Sequence, residues 1–189
     1  MLKSCRLACK QCEPAPVDPG RYRGQLLVLN TTLGEIRIRP LFSQAPQTAA
    51  LVMELAHHPG GCEGCNFYRN EAHPEPGSSG PPYGLLQGSM AGLLKVPERE
   101  GGDIVMRAGH VAMIPSTREF FINVVDHEGW GGSMTVWGDI ADEASMRVVE
   151  SALRLPYKAV KHPTYGTVMR MLDETIAFTP MAETATGSS

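Results

Sequence analysis

No apolar run in the 189-residue chain approaches the roughly 18 residues needed for a membrane-spanning helix, so membrane insertion is not expected. Blocks of like charge are also missing. Acids and bases are interspersed and sum to −3, which leaves no electrostatic footprint for nucleic acid or an anionic membrane. The first thirty residues contain no apolar h-region, so no signal peptide is expected within the chain as it starts. A hydrophobic content of 42% is normal for a globular protein and argues against disorder. Twenty glycines and fifteen prolines point to many turns and short strands rather than long helices. The chain is therefore expected to form one soluble β-rich domain, long enough to enclose a hydrophobic core.

Three of the five cysteines crowd into Cys5-x3-Cys9-x2-Cys12. This spacing resembles the closing end of a ShKT module, a short six-cysteine disulfide domain. The resemblance covers residues 1–12 and implies that the partner cysteines lie upstream of Met1. Asn30-Thr31-Thr32 is an N-glycosylation sequon in an expected exposed turn. Together with the cysteine density it points to the secretory pathway or the cell exterior, the alternative being a cytoplasmic protein with an unused sequon. Cys9-x2-Cys12 and Cys62-x2-Cys65 also have the format of zinc-ribbon pairs, but their separation is too large, and no metal or other cofactor is expected. A local disulfide between Cys62 and Cys65, or free thiols, fits their Gly-rich loop better. Nothing suggests the helix-opening βαβ setting of a redox C-x2-C.

Residues 13–23 read as a Pro-rich linker. Leu26 to Asn30 reads as an apolar strand, and Glu35-Ile36-Arg37-Ile38-Arg39 alternates strictly, with the Thr-Thr-Leu-Gly turn of a hairpin between them. Pro46 suits the start of a helix that places Thr48, Leu51, Val52 and Leu55 on one face. A second helix is expected after Asp142, with Met146, Val149 and Leu153 on one face, ending at Pro156. Strands are expected around Leu85–Gln87, His110–Ile114, Phe120–Val124 and Thr135–Trp137. Thr167 to Leu172 and Thr175 to Phe178 supply the last strands, and 181–189 reads as a disordered tail.

A series of short motifs runs through these elements. Thr31-Thr32-Leu33-Gly34-Glu35-Ile36 is followed by Ala45-Pro46-Gln47-Thr48, Asn66-Phe67-Tyr68-Arg69, Gln87-Gly88, Glu119-Phe120-Phe121-Ile122 and Trp137-Gly138. In this order and at these intervals the series resembles the cyclophilins, the peptidyl-prolyl cis-trans isomerases, over residues 24–180. The resemblance implies a mainly β fold, an eight-stranded antiparallel β-barrel capped by two α-helices.

Prolyl isomerisation needs no acid, base or metal. Its barrier of ~20 kcal/mol comes from amide resonance. The barrier falls when a cationic donor aimed at the prolyl nitrogen stabilises the twisted transition state. The resemblance places that catalytic donor at Arg69, in Phe67-Tyr68-Arg69. It assigns the substrate-binding positions to Phe67, Leu85, Gln87, Met113, Glu119, Phe121 and Trp130. Gln87 would orient the guanidinium, and Phe121 would wall the proline pocket.

The chain departs from the family pattern at several positions. Gly84-Leu85 replaces the pocket Phe-Met. Pro115, following Ile114, removes a backbone donor. Glu119 replaces a glutamine and is expected to pair with Arg69 and quench it. Gly129 and Met134 fall on the pocket tryptophan and histidine, with Trp130 one place away. The Glu71–Tyr83 stretch is longer than usual, forming a lid, a recognition surface or a loose insertion. The Gln87–Met113 stretch is shorter, implying a trimmed far wall. The leading expectation is a weak or narrowed prolyl isomerase acting on proline-containing polypeptide. The alternative is a non-catalytic module that binds extended or proline-rich peptide, and a more remote one is a structural subunit.

Overall fold

The structure, a computed structural model, describes residues 17–185 apart from 79, 103 and 165. Cys5, Cys9 and Cys12 lie outside the described residues. Chain order is β1 (Gln25–Thr31), β2 (Gly34–Pro40), α1 (Pro46–Ala56), β3 (Asn66–Glu71), β4 (Leu85–Ser89), β5 (His110–Met113), β6 (Glu119–Asn123), β7 (Thr135–Ile140), α2 (Glu143–Leu153), β8 (Tyr157–Lys161) and β9 (Val168–Thr184).

Local chemistry explains the first elements. In the β1–β2 hairpin Leu27 pairs with Ile38 and Leu29 with Ile36, so all four apolar side chains enter the interior. Thr31 Oγ1 accepts from Leu33 N–H and donates to the Gly34 carbonyl, and Gly34 takes φ 131°, where a side chain is disfavoured. Pro46 opens α1, whose exposed N–H groups are capped from afar. The Glu100 carboxylate accepts from the backbone N–H of Gln47 and Thr48. Asp142 caps α2 by accepting from Ser145 N–H at 2.7 Å.

The strands pair antiparallel in the order β1-β2-β7-β5-β6-β4-β3-β9, and β9 returns to β1, closing the eight-stranded barrel expected from the sequence. Phe67, Leu86, Val111, Met113, Phe120, Ile122 and Trp137 fill the interior. Phe67 lies 5.5 Å from Phe120 and 5.0 Å from Phe178, ring to ring. Leu51, Val52, Met53 and Leu55 of α1 join this core, as do Val149, Ala152 and Leu153 of α2. Buried Asn70 fastens β3 to the end of α2, its Nδ2 donating to the carbonyls of Ala152 and Leu155, each at 3.1 Å.

Four features differ from expectation. The two final strands are one, β9, which runs unbroken through 168–184 because it changes partner along its length, from β8 to β3 to β1. Residues 181–184, read as tail, are paired with β1 in this strand. Strand β8, read as nothing, pairs with the start of β9. Pro19–Tyr22, read as linker, forms one 3-10 turn capped by Asp18, and Tyr22 is buried in the core, where its hydroxyl donates to Glu54.

Candidate functional site

A bulge creates the site. With strict alternation Phe67 and Arg69 would share one face of β3. The register slips between them, so Phe67 pairs with Gly88 and Arg69 with Gln87. The extra residue, Tyr68, turns Phe67 into the barrel and Arg69 out of it. Cross-strand pairing then lays one row over the outer face: Arg69, Gln87, Phe121, Ala112 and Val136, on β3, β4, β6, β5 and β7.

Arg69 is held from three sides, with its side chain 15% exposed. Its Nε donates to Glu71 Oε1 at 2.8 Å, one terminal nitrogen donates to Gln87 Oε1 at 3.0 Å, and the guanidinium carbon lies 5.8 Å from the Tyr83 ring centroid. The second terminal nitrogen has no hydrogen-bond partner among the described residues. Gln87 Nε2 donates to the Tyr68 hydroxyl, which also faces Glu119. Burial, and then the hydrogen bond to Glu119 and its charge, push the Tyr68 phenol well above its ordinary range.

The ion pair expected between Glu119 and Arg69 is therefore replaced by another. Glu71, two residues along β3 and with its side chain 1% exposed, takes Arg69, and its Oε1 also accepts from Arg170 N–H at 3.1 Å. Glu119 stands on β6 opposite Ser89 and meets Tyr68 instead, because the bulge turns Tyr68 toward it. The signal for Glu71 was its i+2 spacing from Arg69, which on an extended strand puts both on one face.

Beside Arg69 lies an apolar cluster of Leu85, Met106, Ala112, Phe121 and Val136, with Tyr83, Ile104, Ile114, Trp130 and Met134 packed on it. Phe121 is 2% exposed. Trp130 stands edge-on over it at 5.9 Å, stacks on His127 at 4.0 Å, and is met by Tyr83 at 5.4 Å. Trp130, one place off the motif position in sequence, thus packs onto the Phe121 side of this cluster. Tyr83 and His127 are site residues that motif order did not indicate. Burial lowers the His127 pKa below its ordinary value, a backbone hydrogen bond at Tyr83 opposing in part, and Nε2 is buried with no partner among the described residues.

The shortened Gln87–Met113 stretch packs Met106 and Ile104 onto this cluster. His127 N–H donates to the Met106 carbonyl at 2.8 Å, and the Ile104 backbone lies so close to Gly131 that no Cβ fits there. At the end of the Glu71–Tyr83 insertion, Tyr83 forms a wall against Arg69 and Trp130. Arg69, Leu85, Gln87, Phe121, Trp130 and Glu119 are brought to this outer region. Phe67 and Met113 are not, because both face the barrel interior.

Cys62 and Cys65 are joined by a disulfide, which occupies both thiols in the loop before β3. They line a cleft of about 500 Å³ that also includes exposed Asn30 with Thr31 and Thr32.

No family model matches the chain, and no curated protein does. Solved structures do. One is a cyclophilin-type peptidyl-prolyl cis-trans isomerase of Cryptosporidium parvum, crystallised in the presence of the dipeptide Ala-Pro. It is 16% identical, with a TM-score of 0.57 over 84% of this chain and 98% of that one. Another structure of a cyclophilin-type isomerase from the same organism is 14% identical, with a TM-score of 0.51 over 82% of this chain and 96% of that one. At this identity the likeness establishes the fold: the barrel is cyclophilin-like.

Proposed function

We propose that this cyclophilin-like domain acts on Xaa-Pro bonds of polypeptides as a peptidyl-prolyl isomerase of reduced power. The observation that carries the reading is the bond from Arg69 to Gln87 at 3.0 Å, with Phe121 next in the same cross-strand row. That row sets a cationic donor beside an apolar floor, the two groups needed to stabilise a twisted prolyl amide. The solved neighbour crystallised with Ala-Pro supports proline-containing chain as the partner. Reduced power follows from Glu71, whose charge offsets that of Arg69, and from Trp130, which covers the floor.

The same two features favour a second reading, a module that binds proline-containing peptide without turning it over. An NMR exchange assay on a panel of Xaa-Pro peptides, with wild type and Arg69→Ala, separates them. Turnover that disappears in Arg69→Ala supports the isomerase. Binding without turnover in either protein supports the module.

We further propose an oxidising, secretory setting. The Cys62–Cys65 disulfide and the exposed Asn30 sequon support it. Cys5, Cys9 and Cys12 are then the end of a ShKT-like disulfide module. Intact-mass analysis with thiol counting, on protein from its native route, tests this. Five free thiols and an unmodified Asn30 would overturn it.

A further inference from the structure

Closing a barrel removes its sheet edges. Among the described strands β8 alone has a single neighbour, β9, and so keeps one edge open. All five of its residues are exposed, Tyr157 at 45% and Val160 at 41%, and Val168 across the ladder is 51% exposed. No proline interrupts Tyr157–Lys161.

The hydrogen-bonding phase of the hairpin can be read from its ends. His162 N–H donates to the Thr167 carbonyl, and Asp173 N–H donates to the Pro156 carbonyl. Antiparallel alternation therefore turns the N–H and C=O of Lys158 and Val160 toward β9, and those of Tyr157, Ala159 and Lys161 toward the open side. The edge offers backbone donors and acceptors in the pattern of a sheet that accepts another strand.

Charge selects the occupant. Lys158, Lys161 and Arg170 lie in the paired segments 157–161 and 168–172, which contain no acid. Asp173, just beyond, meets Lys158 only at 3.9 Å, with Lys158 75% exposed. Two copies paired edge to edge about Ala159 would place four lysines in one short ladder, a device that discourages self-association.

We propose that the open edge of β8 docks an extended acidic segment of a partner polypeptide, which adds to the sheet as a further strand. Acidic side chains meet Lys158 on one face of the strand and Lys161 on the other, while apolar ones cover Tyr157 and Val160. This docking does not depend on isomerase activity.

The test is amide hydrogen exchange by NMR on the whole chain, with a synthetic peptide repeating Glu-Glu-Val and a control repeating Lys-Lys-Val. With the acidic peptide, the amides of Tyr157, Ala159 and Lys161 should gain protection of ~10-fold or more, since an edge strand otherwise exchanges freely. The gain should shrink with added salt. Ala159→Pro removes an outward donor and no ladder bond, so it should abolish binding. The double variant Lys158→Glu, Lys161→Glu keeps the backbone and should reverse the preference between the peptides. Absence of protection, equal protection by both peptides, or protection that rises with protein concentration alone would each overturn the proposal, the last by showing a second copy on the edge.

Discussion

Arg69 and Glu71 are joined within one strand, Nε to Oε1 at 2.8 Å, and the carboxylate is the more deeply buried partner. A charge held this way has fixed direction but reduced field, since the potential it projects onto a ligand is partly cancelled by its neighbour. Glu71→Gln keeps an acceptor for Arg69 Nε and for Arg170 N–H while removing the charge. Turnover of Xaa-Pro peptides should rise, by ~3- to 10-fold, equivalent to about 1 kcal/mol at the transition state. Folding stability should fall by ~2 kcal/mol, because the half-buried guanidinium loses its counter-charge. Urea titration and NMR exchange read the two effects separately. Lower turnover would mean that Glu71 serves to orient Arg69 and does not restrain it.

Tyr83 touches both halves of the site, Arg69 at 5.8 Å and Trp130 at 5.4 Å. Tyr83→Ala should open the apolar floor while leaving the core of Phe67, Phe120 and Trp137 intact. The expected result is tighter binding of a proline peptide, by ~10-fold or about 1.4 kcal/mol. Tryptophan fluorescence can follow it, because Trp137 is fully buried and only Trp130 lies at the site. Unchanged affinity would show that the ring is no barrier to ligand.

The barrel was legible because its strands alternate and its helices carry Pro46 and Asp142 at their starts. The site was legible only in part. Arg69, Gln87 and Phe121 stand in motif order, and the structure places them in one row. The bulge at Tyr68 has no local sequence signal, yet it decides that Phe67 points inward, that Arg69 points outward, and that Glu119 meets a phenol. Tyr83 and His127 come from loops, whose paths depend on what they pack against and not on periodicity. Strand β8 was hidden for a related reason: with all five residues exposed it has no buried face to impose alternation.

The Cys62–Cys65 disulfide closes a short loop at the entrance to β3, and Cys62 Sγ also accepts from Gly92 N–H at 3.3 Å. Closing so small a loop removes little unfolded-state entropy, which sets the stabilisation at ~2 kcal/mol. Cys62→Ser with Cys65→Ser, or reduction of the wild type, should therefore lower the thermal midpoint by ~4–8 °C. Scanning calorimetry with and without reductant checks this. The same reductant should leave the double variant unmoved.

Asp142 caps α2, and its backbone hydrogen bond from Ser145 is the main reason its carboxyl titrates below the usual 3.8. A depressed native value means that the stabilisation is complete above the unfolded value and is lost as pH falls through the native one. Asp142→Ala should cost about 1 kcal/mol at neutral pH. The cost should vanish in acid, where the wild-type cap is itself protonated. Urea midpoints of the two proteins, compared from neutral pH downward, should converge.

His127 makes the complementary case at the site itself. Burial holds its pKa below 6.5, against the backbone contact at Tyr83 and the charge of Asp126, both of which favour the proton. Below 6.5 the unfolded chain takes up a proton before the native one does, so native stability falls as pH falls from there toward the lower native value. His127 stacks on Trp130, and Trp130 covers Phe121, so the loss should be concentrated at the aromatic cover. Acrylamide quenching of Trp130 is expected to increase on acidification, ahead of global unfolding and of any change at Trp137. His127→Gln has no proton to gain in this range and should flatten the quenching profile. A profile of the same shape in His127→Gln would place the titrating group elsewhere.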